Sequence, residues 1–174
     1  MTELDIQRLL IRDRFRRAIV CPNYTPTGWF ECDVFELTRS GYFREYEIKL
    51  TRQDFESDAG KMKSKRTDVM DADRRFIHET RVKHDELAAH SVCGPSQFWF
   101  VSPEGILYYE DMPVWAGLLI VNSQKVITMI KKAPRLHGEK ADVRIEPHVR
   151  GIFYWRFQNL FLYAQRISPA NVCY

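Results

Sequence analysis

The chain has only four cysteines among 174 residues, Cys21, Cys32, Cys93 and Cys173, and no two of them form a C-x-x-C pair. Such wide spacing favours free thiols in a reducing cytoplasm. Long apolar runs are missing: stretches such as Trp115 to Val121 fall far short of the ~20 residues needed to cross a bilayer. Met1-Thr2-Glu3-Leu4-Asp5 also lacks the basic-then-apolar order of a secretion signal. The expectation is a soluble, cytoplasmic protein with no membrane partner. An excess of one charge is missing too, since 26 Lys and Arg against 23 Asp and Glu leave only +3. Composition therefore gives no argument for a nucleic-acid partner, and any such argument must come from where charges cluster. No G-x-x-x-x-G-K-[ST], G-x-G-x-x-G or G-x-S-x-G is present, which leaves phosphate-loop, dinucleotide and serine-hydrolase chemistry without support. His78, His84 and His90 recur every six residues, a spacing that scatters them around a helix instead of pairing them for a metal.

What is present is a globular composition, 45% hydrophobic and 13% aromatic. At this length folding buries about 70% of the unfolded chain's surface, and one domain over residues 1–174 is expected. Leu4, Ile11, Phe15, Ala18 and Ile19 share a stripe ringed by Arg8, Arg12, Arg14, Arg16 and Arg17, with Thr2 and Asp5 spaced as a capping box. That pattern predicts a basic helix over 3–19. Two β-type runs follow, Trp29 to Leu37 and Tyr42 to Leu50, joined through Thr38-Arg39-Ser40-Gly41 as a hairpin. From Thr51 to His90 the sparse apolar residues fall mostly at helical spacings and predict two or more helices. Phe98-Trp99-Phe100-Val101, bounded by prolines, predicts a strand covered on both faces near the sheet centre. A second hairpin is expected over 115–121 and 125–130, and an aromatic helix over 150–167, packing through Phe153, Phe157, Leu160, Phe161 and Ala164.

The first hairpin carries the chemistry. Glu45, Glu47 and Lys49 alternate onto one face of the second run, and Trp29, Glu31, Asp33, Phe35 and Leu37 onto one face of the first. A three-residue loop Arg39-Ser40-Gly41 with Gly41 left-handed pairs Thr38 with Tyr42, and counting back sets Asp33 opposite Glu47 and Glu31 opposite Lys49. Like charges directly opposite destabilise a sheet by a few tenths to about 1 kcal/mol. A divalent cation between the two carboxylates would offset that, and an open oxygen site suits Mg²⁺ or Mn²⁺. Lys49 on the same face could then help an attacking water. The plainer alternative is that Lys49 neutralises Glu31 or Glu47 in a surface cross-strand pair.

Asp33, a gap of thirteen residues, then Glu47-Ile48-Lys49, on two strands between helices, resembles the PD-(D/E)XK nuclease superfamily. Glu45-Tyr46-Glu47-Ile48-Lys49, Arg52-Gln53-Asp54-Phe55, Phe98-Trp99-Phe100-Val101, Pro103-Glu104-Gly105 and Trp115-Ala116-Gly117-Leu118 look like its small phage-borne members. Two departures stand out: Cys32 replaces the motif's proline, and Lys65 to Arg81 is longer than the connection expected before Lys83-His84. The resemblance implies an α/β restriction-endonuclease-like fold. Its αβββαβ core, a mixed central sheet flanked by helices, would span about 3–136, with an extra C-terminal helix over about 148–167. It also implies a Mg²⁺-dependent deoxyribonuclease, with Mn²⁺ as substitute. Asp33, Glu47 and the Ile48 carbonyl would be metal ligands, Glu3 an added first-helix acid, and Lys49 the catalytic lysine.

Gln53 just beyond the motif, with Lys61, Lys63 and Lys83, are candidates to meet substrate. The arginines of the first helix, Lys65 with Arg66, and Lys131, Lys132 and Arg135 could track a phosphate backbone, or simply form solvated faces. DNA is the expected partner from the resemblance, although the residues themselves would serve RNA equally. Cutting both strands of a duplex from one site per monomer requires reorientation, which makes a homodimer an expectation from chemistry alone. The rival reading is a catalytically silent nuclease-fold subunit for DNA binding or assembly. Another is a structural ion-pair network worth at most ~1 kcal/mol per pair.

Overall fold

The computed structural model describes residues 1–58, 62–70 and 76–167, with side chains over 1–58 and 81–160. Two compact units divide the chain, Met1–Ala141 and Asp142–Tyr174. The core expected over 3–136 falls inside the first, and the extension over 148–167 inside the second.

The first unit opens with α1 (Glu3–Arg14), whose N-terminus is closed by the predicted reciprocal capping box between Thr2 and Asp5. The helix is shorter than the expected 3–19. It ends at Phe15, and Ala18 and Ile19 instead open the strand β1 (Ala18–Tyr24). Ile19, Val20 and Pro22 explain the difference: two β-branched residues favour extended backbone, and proline cannot continue a helix but is tolerated on an edge strand. The six-stranded sheet runs in the order β1, β2 (Cys32–Thr38), β3 (Phe43–Ile48), β6 (Gln97–Pro103), β7 (Ala116–Val121) and β8 (Ile127–Lys131). The β3–β6 and β6–β7 pairs are parallel, the others antiparallel, so the sheet is mixed. This unit combines the mixed sheet with the helices α1, α2 (Arg52–Asp58) and α3 (Lys83–Ala88), so the fold is α/β.

Residues 51–90 hold two helices, as expected, but not helices alone. Between α2 and α3, β4 (Met62–Met70) and β5 (Phe76–Val82) pair antiparallel as a separate two-stranded sheet. Thr67, Val69, Ile77, Thr80 and Val82 are β-branched, and the few apolar residues there set no decisive helical period.

One face of the sheet is apolar. Val20, Val34, Tyr46, Ile48, Trp99, Val101, Leu119 and Val121 pack under Ile6, Leu9 and Leu10 of α1. The opposite face carries Phe35, Phe98, Phe100 and Leu118 together with Glu45, Glu47 and Lys49, all buried. Phe100 there meets Phe55 of α2 with ring centroids 5.0 Å apart, Phe98 at 5.1 Å and His84 of α3 at 6.1 Å. The chemistry-bearing face is therefore lined by aromatic rings instead of solvent.

In the second unit α4 (Ile145–Ile167) begins earlier than expected, with Pro147 tolerated in its first turn. Phe153, Phe157 and Leu160, expected to be packed, are exposed; Phe161 and Ala164 lie outside the described side chains. Periodicity specifies which residues of a helix share a face, not what covers that face. Among the described residues no helix is long and apolar enough to cross a membrane.

Candidate active site

The predicted hairpin register is the one observed. Thr38 N–H donates to the Tyr42 carbonyl at 2.9 Å, Gly41 N–H donates to Thr38 at 2.9 Å, and Gly41 has φ +84°. Leu37 pairs with Phe43, Glu36 with Arg44, Phe35 with Glu45 and Val34 with Tyr46. One step further sets Asp33 opposite Glu47. Continuing the alternation of bonded pairs would have Cys32 exchange hydrogen bonds with Ile48. The ladder stops first, and the Ile48 N–H donates instead to Asp33 Oδ2 at 2.7 Å. Asp33 thus ends the ladder with its side chain while its other carboxyl oxygen accepts no hydrogen bond among the described residues.

The two carboxylates experience opposite surroundings. Burial, and then the negative charge of Glu47, push Asp33 up from 3.8 to about 7; the Ile48 N–H opposes this and Glu3 adds to it. Burial would raise Glu47 as well, but Lys83 and then Lys49 outweigh it, so Glu47 is held below the usual range. Lys49 Nζ lies 3.1 Å from Glu47 Oε1 and 2.8 Å from Asp58 Oδ1. Lys83 Nζ lies 2.6 Å from Glu47 Oε2, 2.5 Å from Glu45 Oε1 and 3.2 Å from the Glu31 carbonyl. Both oxygens of Glu47 are consequently neutralised from within the protein.

The candidate residues separate clearly. Asp33, Glu47, Ile48 and Lys49 come together. Glu3 is near enough for its charge to raise Asp33, but its Oε1 accepts from Gln7 at 3.1 Å. Gln53 is exposed in the first turn of α2. Lys61 lies outside the described residues, and Lys63 is on β4 with its side chain outside them. Lys83, considered for contact with substrate, instead has its ammonium buried on Glu45 and Glu47, which raise its pKa despite burial. The plainer reading of Lys49 correctly named Glu47 as partner, but the pair is buried, Lys49 being 1% exposed, and Glu31 is not its counter-charge. Three residues of the basic clusters, read as either phosphate contacts or solvated faces, make contacts within the protein: Arg14 donates to Glu36 and Tyr46, Lys131 to the Met112 and Pro113 carbonyls, and Arg135 stacks on Tyr42.

Several site residues escaped sequence reasoning. Gln7, buried in α1, donates to Glu3, to Asn23 at 2.8 Å and to the Asp33 carbonyl at 3.2 Å, tying the helix to the end of the ladder. A polar residue between Ile6 and Leu9 was the available signal. Trp29 Nε1 donates to Glu45 Oε2 at 2.7 Å, and His84 Nε2 meets Asp58 Oδ2 at 2.9 Å. Asp58 carries no sequence signal, since only folding brings the end of α2 over β3.

Whether these residues suit Mg²⁺ turns on the donor set. Among the described residues no three His, Cys, Asp or Glu side chains gather as a ligand group. Two carboxylates with water and substrate oxygens nonetheless match the way Mg²⁺ is commonly held. The incompletely engaged Asp33 carboxyl, raised by burial and then by the facing Glu47, is where a cation would relieve repulsion. By donor chemistry the two carboxylates fit such a cation, which would take up Glu47 in exchange for its contacts with Lys49 and Lys83.

The fold is similar to that of SPO1766, a protein of unknown function from Silicibacter pomeroyi, with a TM-score of 0.55 and 17% identity over 100% of this chain and 97% of that one. At that identity the likeness is one of fold alone. No protein-family model and no curated protein matches the chain.

Proposed function

We propose that this protein is a divalent-cation-dependent nuclease of the restriction-endonuclease-like type, hydrolysing DNA phosphodiesters at Asp33, Glu47 and Lys49. The observation that carries the reading is Asp33 facing Glu47 at the frayed end of the β2–β3 ladder, its carboxyl raised to about 7 by burial and by that neighbour, with a lysine ammonium on the same face. A bound Mg²⁺ would lower the pKa of water and stabilise charge developing on phosphorus. Asp33 and Glu47 would hold it, with the Ile48 carbonyl as a further donor.

Lys49, already oriented by Glu47 and Asp58, would orient the attacking water and offset charge on the phosphoryl oxygens. Water adds to phosphorus, the bond to one sugar oxygen breaks, and a phosphate monoester and an alcohol result. Exposed Arg8, Arg12, Arg16 and Arg17 offer positive charge for a phosphate backbone. DNA as substrate comes from the family resemblance; RNA has the same bond.

The test is cleavage of plasmid and of single- and double-stranded oligonucleotides with Mg²⁺ or Mn²⁺, against EDTA and against Lys49→Ala. Cation-dependent cutting that falls ~10²–10⁴-fold in the variant is expected. A second reading, a silent nuclease-fold DNA-binding subunit, is favoured by the lysine engagement of both Glu47 oxygens and the burial of Lys49. Protein that binds DNA but cuts no tested nucleic acid with either cation would establish that reading in place of the first.

A further inference from the structure

Glu47 is gripped from two sides, and each lysine that grips it holds a second carboxylate. Lys49 also meets Asp58, and Lys83 also meets Glu45. Those second carboxylates are anchored independently of the lysines. Asp58 Oδ2 meets His84 Nε2 at 2.9 Å, and the His84 ring is packed against Trp115 and Phe100. Glu45 Oε2 takes the Trp29 indole N–H at 2.7 Å. Asp58, Glu45, Lys49 and Lys83 are all buried. Folding alone required only one counter-charge for each lysine.

We infer that Asp58 and Glu45 are positioning residues, reserve counter-anions that retain Lys49 and Lys83 when Glu47 turns to a divalent cation. This rests on the reading of Asp33 and Glu47 as a metal site. A buried ammonium whose single anion is taken away is left uncompensated in a low-dielectric setting, so it resists surrendering that anion. With a second, independently fixed carboxylate in contact, Glu47 passes from one paired arrangement to another, and neither ammonium is stranded. Lys49 also stays where it is, held toward the site by α2 through Asp58. The competing account is that the four charges only neutralise one another in the fold. In that case loss of Asp58 or Glu45 weakens folding but leaves cation affinity unchanged.

The experiment is calorimetric titration of the full chain with Mn²⁺ at fixed pH and without nucleic acid. Asp58→Asn and Glu45→Gln should each weaken Mn²⁺ binding by ~10–100-fold, because the lysine then clings to Glu47. Lys49→Met and Lys83→Met should tighten it. In the Lys49→Met background, adding Asp58→Asn should change affinity little, and likewise Glu45→Gln on Lys83→Met. These double variants lose a cation and an anion together, so they keep the test decisive if a single acid variant does not fold. Acid variants that bind Mn²⁺ as tightly as wild type, or that weaken it equally with and without the lysine, overturn the inference and leave the metal site standing. Wild-type protein that takes up no Mn²⁺ overturns both.

Discussion

Replacing Asp33 by Asn removes the charge at the end of the β2–β3 ladder and keeps an oxygen facing the Ile48 N–H. In the wild type, burial and Glu47 raise Asp33 from 3.8 to about 7. The folded protein therefore holds this proton at a pH where the unfolded chain has released it. Stability falls as pH rises from about 4 toward 7, and the loss is complete above that window. A rise of that size corresponds to ~4 kcal/mol when fully expressed. Asp33→Asn should escape the penalty, gaining roughly 2–4 kcal/mol over wild type near pH 8 in EDTA and under half of that near pH 5. Urea unfolding at the two pH values measures both. A variant less stable than wild type at pH 8, or a gain that does not change with pH, would refute the crowded-carboxylate reasoning and place Asp33 in a stabilising ion-pair network. Saturating Mn²⁺ should stabilise the wild type and have little effect on the variant, since binding to the folded state alone is what raises apparent stability.

Trp29→Phe deletes the indole N–H that serves the buried Glu45 carboxylate; a loss of about 1.5–3 kcal/mol is expected in chemical denaturation, and a loss within error of zero would show that Glu45 finds another donor. Gly117→Ala would set its new methyl 2.5 Å from both the Ala133 amide nitrogen and Trp99 Cε3. Backbone on one side and a packed ring on the other leave nowhere to yield, so a cost of about 2–3 kcal/mol or more is expected by thermal unfolding. Thr2→Ala removes one half of the α1 capping box and should cost ~1 kcal/mol, read as helical fraying in amide exchange across Leu4 to Gln7.

Where local chemistry sets the geometry, the sequence was sufficient. Gly41 dictated the loop, the loop dictated the pairing of Thr38 with Tyr42, and strand period two then carried Asp33 to Glu47 without tertiary information. The capping box at Thr2 and the central Phe98–Val101 strand were legible for the same reason. The end of α1 was misjudged because Ala18 and Ile19 fit a helical stripe by coincidence, while their partners across the sheet, Thr38 and Leu37, lie about twenty residues away. The β4–β5 ribbon was missed because strand pairing there depends on a partner strand that single-chain periodicity does not reveal.

The sequence by itself determined which charged side chains share a face: Glu45, Glu47 and Lys49 alternate together on any extended backbone, and one turn fixes what stands across from them. It did not determine that this face would be buried, nor which groups would meet it. That came from α2 and α3 closing over β3 and β6, which carried Asp58, Lys83 and His84 to the motif from nine to thirty-five residues beyond Lys49. Alternation is a property of the backbone and needs no partner. Compensation of buried charge is a property of the assembled core, because only there does the loss of water make each uncompensated group expensive enough to require another.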